Sequence, residues 1–245
     1  MSFYERENEY IKLLMNKESM TVKELSDALF TSIPTVRRDL IKLEKKGEII
    51  RSYGGARIIR NPADETIPFV LRANEQSTEK IIIAKNAVKY IKDGYTIMLD
   101  ATTSTCNLIP LLKDFKNLIV ITSGARSSYL LGNMNIRNIC TGGQMLPKSL
   151  SYVGNDTLRT ISQYNADIVF FSCRALSNEG YLTDNSIEEN IVRRAMMERS
   201  KTKIFLCDSK KIGSTCLSNL CHISQIDEII SEKPISPYLL SLMNK

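Results

Sequence analysis

Apolar residues recur at helical spacing three times within the first 47 residues, and then the pattern changes to short β-prone runs. Tyr10, Ile11 and Leu14 share one side of a predicted helix near Arg6 to Asn16. Val22, Leu25, Ala28 and Leu29 mark a second, which opens on Thr21-Val22-Lys23-Glu24. That spacing lets the Thr21 hydroxyl accept from the Glu24 amide while the Glu24 carboxylate reaches back, a capping box. Val36, Leu40 and Leu43 form the stripe of a third helix, begun by Ser32 as N-cap, tolerant of Pro34 in its first turn and stopped at Gly47. Only Phe30 and Thr31 separate the second and third helices, the short connection of a helix-turn-helix. Ile49 to Tyr53 and Ala56 to Arg60 flank Gly54-Gly55 and predict a hairpin turning on the glycines, a wing over residues 49–60.

Residues 61–73, with Pro62 and Pro68, read as a connector, and Thr78 to Lys92 as a helix. Five strand-like runs follow: Thr96 to Asp100, Leu118 to Thr122, Ile136 to Thr141, Ala166 to Ser172 and Lys203 to Asp208. Helices are expected near Thr103 to Lys113, Arg126 to Gly132, Asp156 to Gln163 and Asn185 to Arg199. Continuous apolar strands alternating with helices imply an α/β domain over residues 74–245, its mainly parallel sheet covered on both faces. Ligands of such sheets collect at the carboxyl ends of the strands.

Composition changes the picture mainly through where charge sits. Residues 31–60 hold eight basic and three acidic residues, whereas residues 1–30 hold four and six. Positive charge is thus concentrated where a phosphate-facing surface would need it. Arg51 and Arg57 of the wing can meet phosphates or the minor groove, and Tyr53 can pack on the sugar-phosphate backbone. With 245 residues, 43% apolar and 24% charged, the chain is ordinary for a globular protein. No apolar run approaches the roughly 18 residues of a membrane span and no signal-peptide pattern opens the chain, so a cytosolic location is expected. Cys106, Cys140, Cys173, Cys207, Cys216 and Cys221 lack metal-site spacing and are expected as reduced, mostly buried thiols; no metal or cofactor is implied.

Polar groups gather at the predicted strand ends. Asp100-Ala101-Thr102-Thr103 precedes a helix and converges amides and hydroxyls as a phosphate cradle would. Ser123, then Gly142-Gly143, then Asp208-Ser209-Lys210-Lys211 follow later strands, and together they suggest one pocket for an anionic ligand. Catalysis is the rival reading. Its candidates are weak: His222 is the only histidine, and Asp167 and Glu188 are explained by helix capping and salt bridges, so no catalytic residue is assigned.

Thr35-Val36-Arg37-Arg38-Asp39-Leu40 with Leu43, and Tyr53-Gly54-Gly55-Ala56, resemble the DeoR family of bacterial transcriptional regulators. The likeness continues through Asp100 to Thr103, Gly142-Gly143, Tyr152-Val153-Gly154, Ala166 to Phe170, Gly180 and Asp208 to Gly213. It implies a winged helix-turn-helix domain over residues 1–60, with the motif at about 20–39 and the helix from Ser32 in the major groove of operator DNA. Ser32, Thr35, Arg37 and Arg38 would make the main contacts, and Asp39 would hold a neighbouring arginine. It further implies a C-terminal domain similar to ribose-5-phosphate isomerase and glucosamine-6-phosphate deaminase that senses a phosphorylated sugar, with Lys211 preferred over Lys210 as phosphate partner. Two positions depart from the family pattern. Ala101 replaces a glycine, which costs backbone freedom if that position needs positive φ, and Ser123 replaces an asparagine. The resulting expectation is a metabolite-controlled repressor of carbohydrate metabolism, a homodimer or homotetramer aligning two reading heads with repeated half-sites; the alternative is a sugar-phosphate isomerase or deaminase-like enzyme with an accessory DNA-binding domain.

Overall fold

Two units divide the chain, Met1–Glu65 and Thr66–Lys245. The structure is a computed structural model that describes residues 3–17, 19–45, 49–58, 69–74 and 77–243. In the first unit α1 (Phe3–Lys17), α2 (Val22–Ala28) and α3 (Ile33–Lys45) accompany β1 (Ser19–Thr21), β2 (Ile49–Ser52) and β3 (Gly55–Ile58). Tyr10, Leu14, Leu25, Val36, Leu40, Leu43 and Ile49 are fully or almost fully buried, so the helical stripes meet in one small core. The Thr21–Glu24 capping box forms: the Glu24 amide donates to Thr21 Oγ1 at 3.1 Å, and the Thr21 amide to Glu24 Oε2 at 2.7 Å. Thr21 also ends β1, a strand the sequence reading lacked, which pairs with β3 to make a three-stranded antiparallel sheet.

The wing turns differently from expectation. Ser52 pairs with Gly55, so the turn is Tyr53-Gly54, and only Gly54 takes a positive φ, 86°. Gly55 lies in β3, where a Cβ would sit 2.5 Å from the Met20 carbonyl oxygen. One glycine therefore provides the turn and the other permits close approach of two strands.

The second unit is built on six parallel strands in the order β6-β5-β4-β9-β12-β14, where β4 is Thr96–Leu99, β5 Ile119–Thr122, β6 Asn138–Cys140, β9 Ala166–Phe171, β12 Ser200–Leu206 and β14 Glu228–Ile230. A hairpin of β7 (Gln144–Leu146) and β8 (Ser151–Val153) and an antiparallel sheet of β10 (Ala175–Leu176), β11 (Tyr181–Asp184) and β13 (Ser218–His222) lie outside it. Helices α4 (Phe69–Asn74), α5 (Ser77–Ala87), α6 (Thr103–Cys106), α7 (Ala125–Asn133), α8 (Asn155–Ser162), α9 (Ile187–Glu198) and α10 (Pro237–Met243) complete it. Adjacent strand residues enter opposite cores: Met98, Val169, Phe171 and Phe205 pack with Val192 and Met196 of α9, whereas Ile97, Leu99, Phe170 and Ile204 pack with Ile83 and Ala87 of α5. This is the period-two alternation of a sheet covered on both faces.

The chain steps outward from β4 to β6, returns to place β9 beside β4, and then steps outward the other way to β14. The carboxyl ends of β4 and β9 thus form the switch point at which such sheets bind ligands. Residues 61–68 of the expected connector lie outside the described residues, but its end is structured: Phe69 of α4 is buried and its amide donates to the Lys148 carbonyl at 2.7 Å. Among the described residues no helix is long and apolar enough to cross a membrane. Cys173, Cys207 and Cys221 are buried free thiols, and Cys106, Cys140 and Cys216 are half-buried.

The short distance from Gly55 to the Met20 carbonyl predicts that Gly55→Ala destabilises the N-terminal unit by about 1–3 kcal/mol, the usual cost of forcing atoms into a closed space. Urea unfolding followed by the fluorescence of the tyrosines reads the effect; an unchanged midpoint would show that the strand contact is slack.

Candidate functional site

The N-terminal unit divides the charges of α3 between structure and solvent. Val36, Asp39, Leu40 and Leu43 face inward. The Asp39 carboxylate accepts from Arg6 Nε at 2.8 Å and from the Tyr10 hydroxyl at 3.4 Å, so the arginine it holds belongs to α1 and is not a sequence neighbour. Burial first, and the Asp39 charge second, push the Tyr10 hydroxyl up to about 12. Arg37, Arg38 and Arg57 are exposed and pair with none of the described residues. Ser32 and Thr35 stand at the exposed start of α3 with their hydroxyl oxygens 2.9 Å apart.

Arg51 behaves differently from the other basic residues assigned to this face. Its Nε donates to Glu44 Oε2 at 2.7 Å and its amide to Glu44 Oε1 at 3.2 Å, which fastens β2 to the end of α3 and holds the Glu44 carboxyl below its ordinary value. Arg51 therefore orients the wing in this structure, and a phosphate contact would require it to leave Glu44. Tyr53, by contrast, is fully exposed at the tip of the wing.

In the second unit the switch point is organised by Asp100, which follows β4. Its Oδ1 accepts from the Thr102 amide at 3.0 Å, the Thr102 hydroxyl at 2.7 Å and the Thr105 hydroxyl at 2.9 Å. Its Oδ2 accepts from the Ser172 amide at 3.0 Å and Arg193 Nε at 3.1 Å. Five donors occupy this buried carboxylate, which makes Asp100 the frame of the loop. Thr102 is likewise committed, capping α6 by accepting from the Thr105 amide at 3.4 Å.

Around that frame, several sequence-assigned residues converge. Gly124 lies against Ala101: a Cβ there would be 3.1 Å from the Ala101 Cα and 3.0 Å from Ser127 Oγ. Among the described residues, positive φ outside glycine occurs only at Phe30, Asn117, Asn135 and Leu150, so Ala101 causes no left-handed strain where the family pattern has glycine. Ser123 is buried, and its carbonyl accepts from the Tyr152 amide at 2.7 Å. Gly142 and Gly143 take φ values of 63° and 111°, and Gly143 admits Thr157, whose hydroxyl donates to the Gly142 carbonyl at 2.6 Å. Lys211 Nζ donates to the Ser172 hydroxyl at 2.8 Å and lies 3.3 Å from Asp208 Oδ2. Ser172 thereby joins Lys211 to Asp100. Among the described residues, the hydroxyls of Ser104 and Thr141 are buried without a hydrogen-bond partner, which is costly unless something binds them.

Sequence reading missed Ser172 and Arg193. Arg193 lies within the expected helix, yet it is buried, with Nη1 2.9 Å from Asp184 Oδ2 and Nη2 3.8 Å from Glu189 Oε2 in addition to its Asp100 contact. Burial alone would lower its pKa, but Asp184, Glu189 and Asp100 together raise it above the ordinary value. The arginine interrupts no apolar periodicity, so only the fold reveals that it faces inward. Asp167 binds Lys201 at 2.8 Å and the Thr96 amide at 3.0 Å, and His222 bridges the Glu179 carbonyl and Ser224. Asp167 and its partners thus sit at the amino ends of β4, β9 and β12, opposite the strand-end cluster, and Glu188 receives the Ser186 hydroxyl at 3.4 Å.

Comparison with known proteins meets this geometry on both units. The profile of the DeoR-like helix-turn-helix domain matches residues 6–61, and that of the DeoR C terminal sensor domain matches residues 75–233. The chain belongs to the DeoR family. Relatives of this DeoR-family regulator include the HTH-type transcriptional regulator YulB of Bacillus subtilis, 34% identical over 95% of this chain and 90% of that one. The L-fucose operon activator of Escherichia coli is 29% identical over 93% and 94%, and the lactose phosphotransferase system repressor of Staphylococcus epidermidis 30% identical over 95% and 93%. Among solved structures, eIF2B delta of Chaetomium thermophilum aligns at TM-score 0.50 with 21% identity over 68% of this chain and 60% of that one. Ribose 5-phosphate isomerase A of Methanocaldococcus jannaschii aligns at 0.43 with 16% identity over 56% and 55%. The chain is thus a DNA-binding transcriptional regulator with a C-terminal sensor domain on a six-stranded parallel sheet.

Breaking one side of the buried network should be expensive. Arg193→Met would leave Asp100 and Asp184 without their counter-charge and lower stability by about 3–5 kcal/mol. For Asp184, burial raises the carboxyl pKa, but Arg193 and then the Asn185 and Ser186 amides hold it below the ordinary value. Its contribution is therefore present above about pH 4 and lost as pH falls through the lower folded value. Urea melts between neutral and acidic pH should show a shallower acid limb in Asp184→Asn; an unchanged limb would mean that this pair does not control acid stability.

Proposed function

We propose that the chain is a cytosolic repressor of a carbohydrate-metabolism operon whose affinity for operator DNA is set by a phosphorylated sugar. Residues 1–60 would read DNA, 61–73 connect, and 74–245 sense the metabolite without turning it over. The observation that carries this reading is the combination of Arg37 and Arg38, exposed on α3 and unpaired among the described residues, with a strand-end cluster containing Lys211 and the hydroxyls of Ser104 and Thr141, which lack a partner among those residues. The names of relatives that control fucose and lactose systems support a sugar-derived effector.

On the DNA side Ser32, Thr35, Arg37 and Arg38 supply base and phosphate contacts from the start of α3, and Arg57 and Tyr53 extend the contact from the wing. On the ligand side Ala101 to Thr103, Ser123 and Gly142-Gly143 line the site, Lys211 neutralises the phosphate, and Asp100 holds the loop in shape. Isomerase or deaminase chemistry needs a proton donor and acceptor about a substrate carbon, whereas Asp167, Glu188 and His222 are each engaged by structural partners. The effector acts by binding one state of the regulator better than the other and can change operator affinity only by that difference. A homodimer, or a tetramer of dimers, would match two heads to half-sites one or more helical turns apart.

Two substitutions separate the units. Arg37→Ala should weaken binding to a duplex carrying the protein's own promoter by about 1–3 kcal/mol, the worth of a base-reading arginine, and leave effector binding intact. Lys211→Ala should retain operator binding and lose most of the response to a panel of sugar phosphates. Gel-shift titrations with and without the panel report both; a Lys211→Ala protein with full effector sensitivity would place the phosphate elsewhere.

A further inference from the structure

The turn between α2 and α3 carries a residue whose backbone and side chain are both out of keeping with a free protein surface. Phe30 takes φ 49°, the left-handed region that bulky residues rarely adopt and glycine adopts readily, and its side chain is 98% exposed. The conformation is imposed from both sides. The Leu29 amide donates to the Leu25 carbonyl at 3.1 Å, the Thr31 amide to the Ser26 carbonyl at 3.0 Å, and the Ser26 hydroxyl to the Thr31 carbonyl at 2.5 Å. The ring contributes no burial to the fold in return for that strain and stands free to contact another molecule.

Its surroundings indicate which one. Three residues later Ile33 opens α3 with 41% exposure, and Arg37 lies four positions further on, the spacing that places both on one helix face. Ile41 continues that stripe, also exposed. A face on which Arg37, unpaired among the described residues, stands between Ile33 and Ile41 suits the major groove, whose wall carries phosphates and whose floor offers one apolar group, the thymine 5-methyl. An apolar protein partner would have to desolvate Arg37 and Arg38 without a counter-charge, which disfavours it.

We propose that Phe30 and Ile33 form an apolar tip of the reading head that packs on thymine 5-methyl groups of the operator. The inference rests on α3 being the recognition helix, and it adds a source of sequence preference apart from the arginine contacts. Thymine at the bases beneath the amino end of α3 is then read by contact with its methyl group, while Arg37 addresses a neighbouring base or phosphate. Loss of one buried methyl contact corresponds to about a fourfold weakening.

The test uses the full chain and the tightest duplex selected from a random-sequence pool, prepared once with thymine and once with uracil in its place. Wild type should bind the uracil duplex at least fourfold more weakly. Phe30→Gly should melt at the same or a higher temperature, because glycine suits the left-handed position, yet bind the thymine duplex at least fourfold more weakly and show a reduced thymine-over-uracil preference. Ile33→Ala should reduce the preference in the same direction. Equal wild-type affinity for the two duplexes, or a Phe30→Gly protein that binds as wild type does, overturns the proposal. So does a lowered melting temperature in Phe30→Gly, which would make Phe30 a structural residue. Arg37→Ala measured alongside keeps the two readings distinct: weakened binding there with no effect at Phe30 removes the apolar tip alone, whereas no effect at Arg37 removes the recognition helix itself.

Discussion

A carboxylate taken out of water must be given donors, and Asp100 receives five of them from three separate parts of the sensor domain. Thr102 and Thr105 come from its own loop, Ser172 from the end of β9, and Arg193 from α9. The desolvation penalty of an isolated buried charge is several kcal/mol, so these parts are compelled to meet at one point. That point is the switch between β4 and β9. Ser172 passes the connection on to Lys211, and Arg193 passes it to Asp184 and Glu189. The loops at these strand ends can thus be built from small residues and hydroxyls, because their shape is enforced from behind by charge.

The DNA-reading unit uses the same device on a smaller scale. Asp39 faces inward from α3 and is held by Arg6 and Tyr10, which locks the helix onto α1. Glu44 takes Arg51 and ties down the wing. With those carboxylates occupied, Arg37, Arg38 and Arg57 are left unpaired among the described residues and exposed on the outer surface, where a polyanion gains most from their charge. Acidic residues in a basic segment are here part of how the basic surface is presented.

Much of this was legible in the chain. Helical spacing gave Val36, Leu40 and Leu43 as the buried stripe of α3, and apolar runs located five of the six parallel strands within a few residues. What escaped notice escaped for physical reasons. The strands β1, β7, β8 and β14 are three residues long, too short for alternation to register, and α4 is hidden in a proline-marked stretch. The division of labour at Gly54-Gly55 depends on how near Met20 comes, which no local pattern encodes. Asp100 read as a ligand residue because its loop looked like a cradle; its role as frame follows from Ser172 and Arg193, which are 72 and 93 residues away. Ala101 looked like a handicap, yet its backbone is not left-handed and the methyl group fits.

In the proposed function the two units are linked by the free energy that couples their ligands. If a sugar phosphate alters operator affinity by some factor, the operator must alter affinity for that sugar phosphate by the same factor. The most direct measurement is the affinity of the wild-type protein for each member of a sugar-phosphate panel, determined by calorimetry with and without saturating promoter duplex. At least one phosphorylated sugar should bind with an affinity that the duplex shifts, by the factor that sugar imposes on DNA binding. Affinities unchanged by the duplex across the whole panel would contradict it.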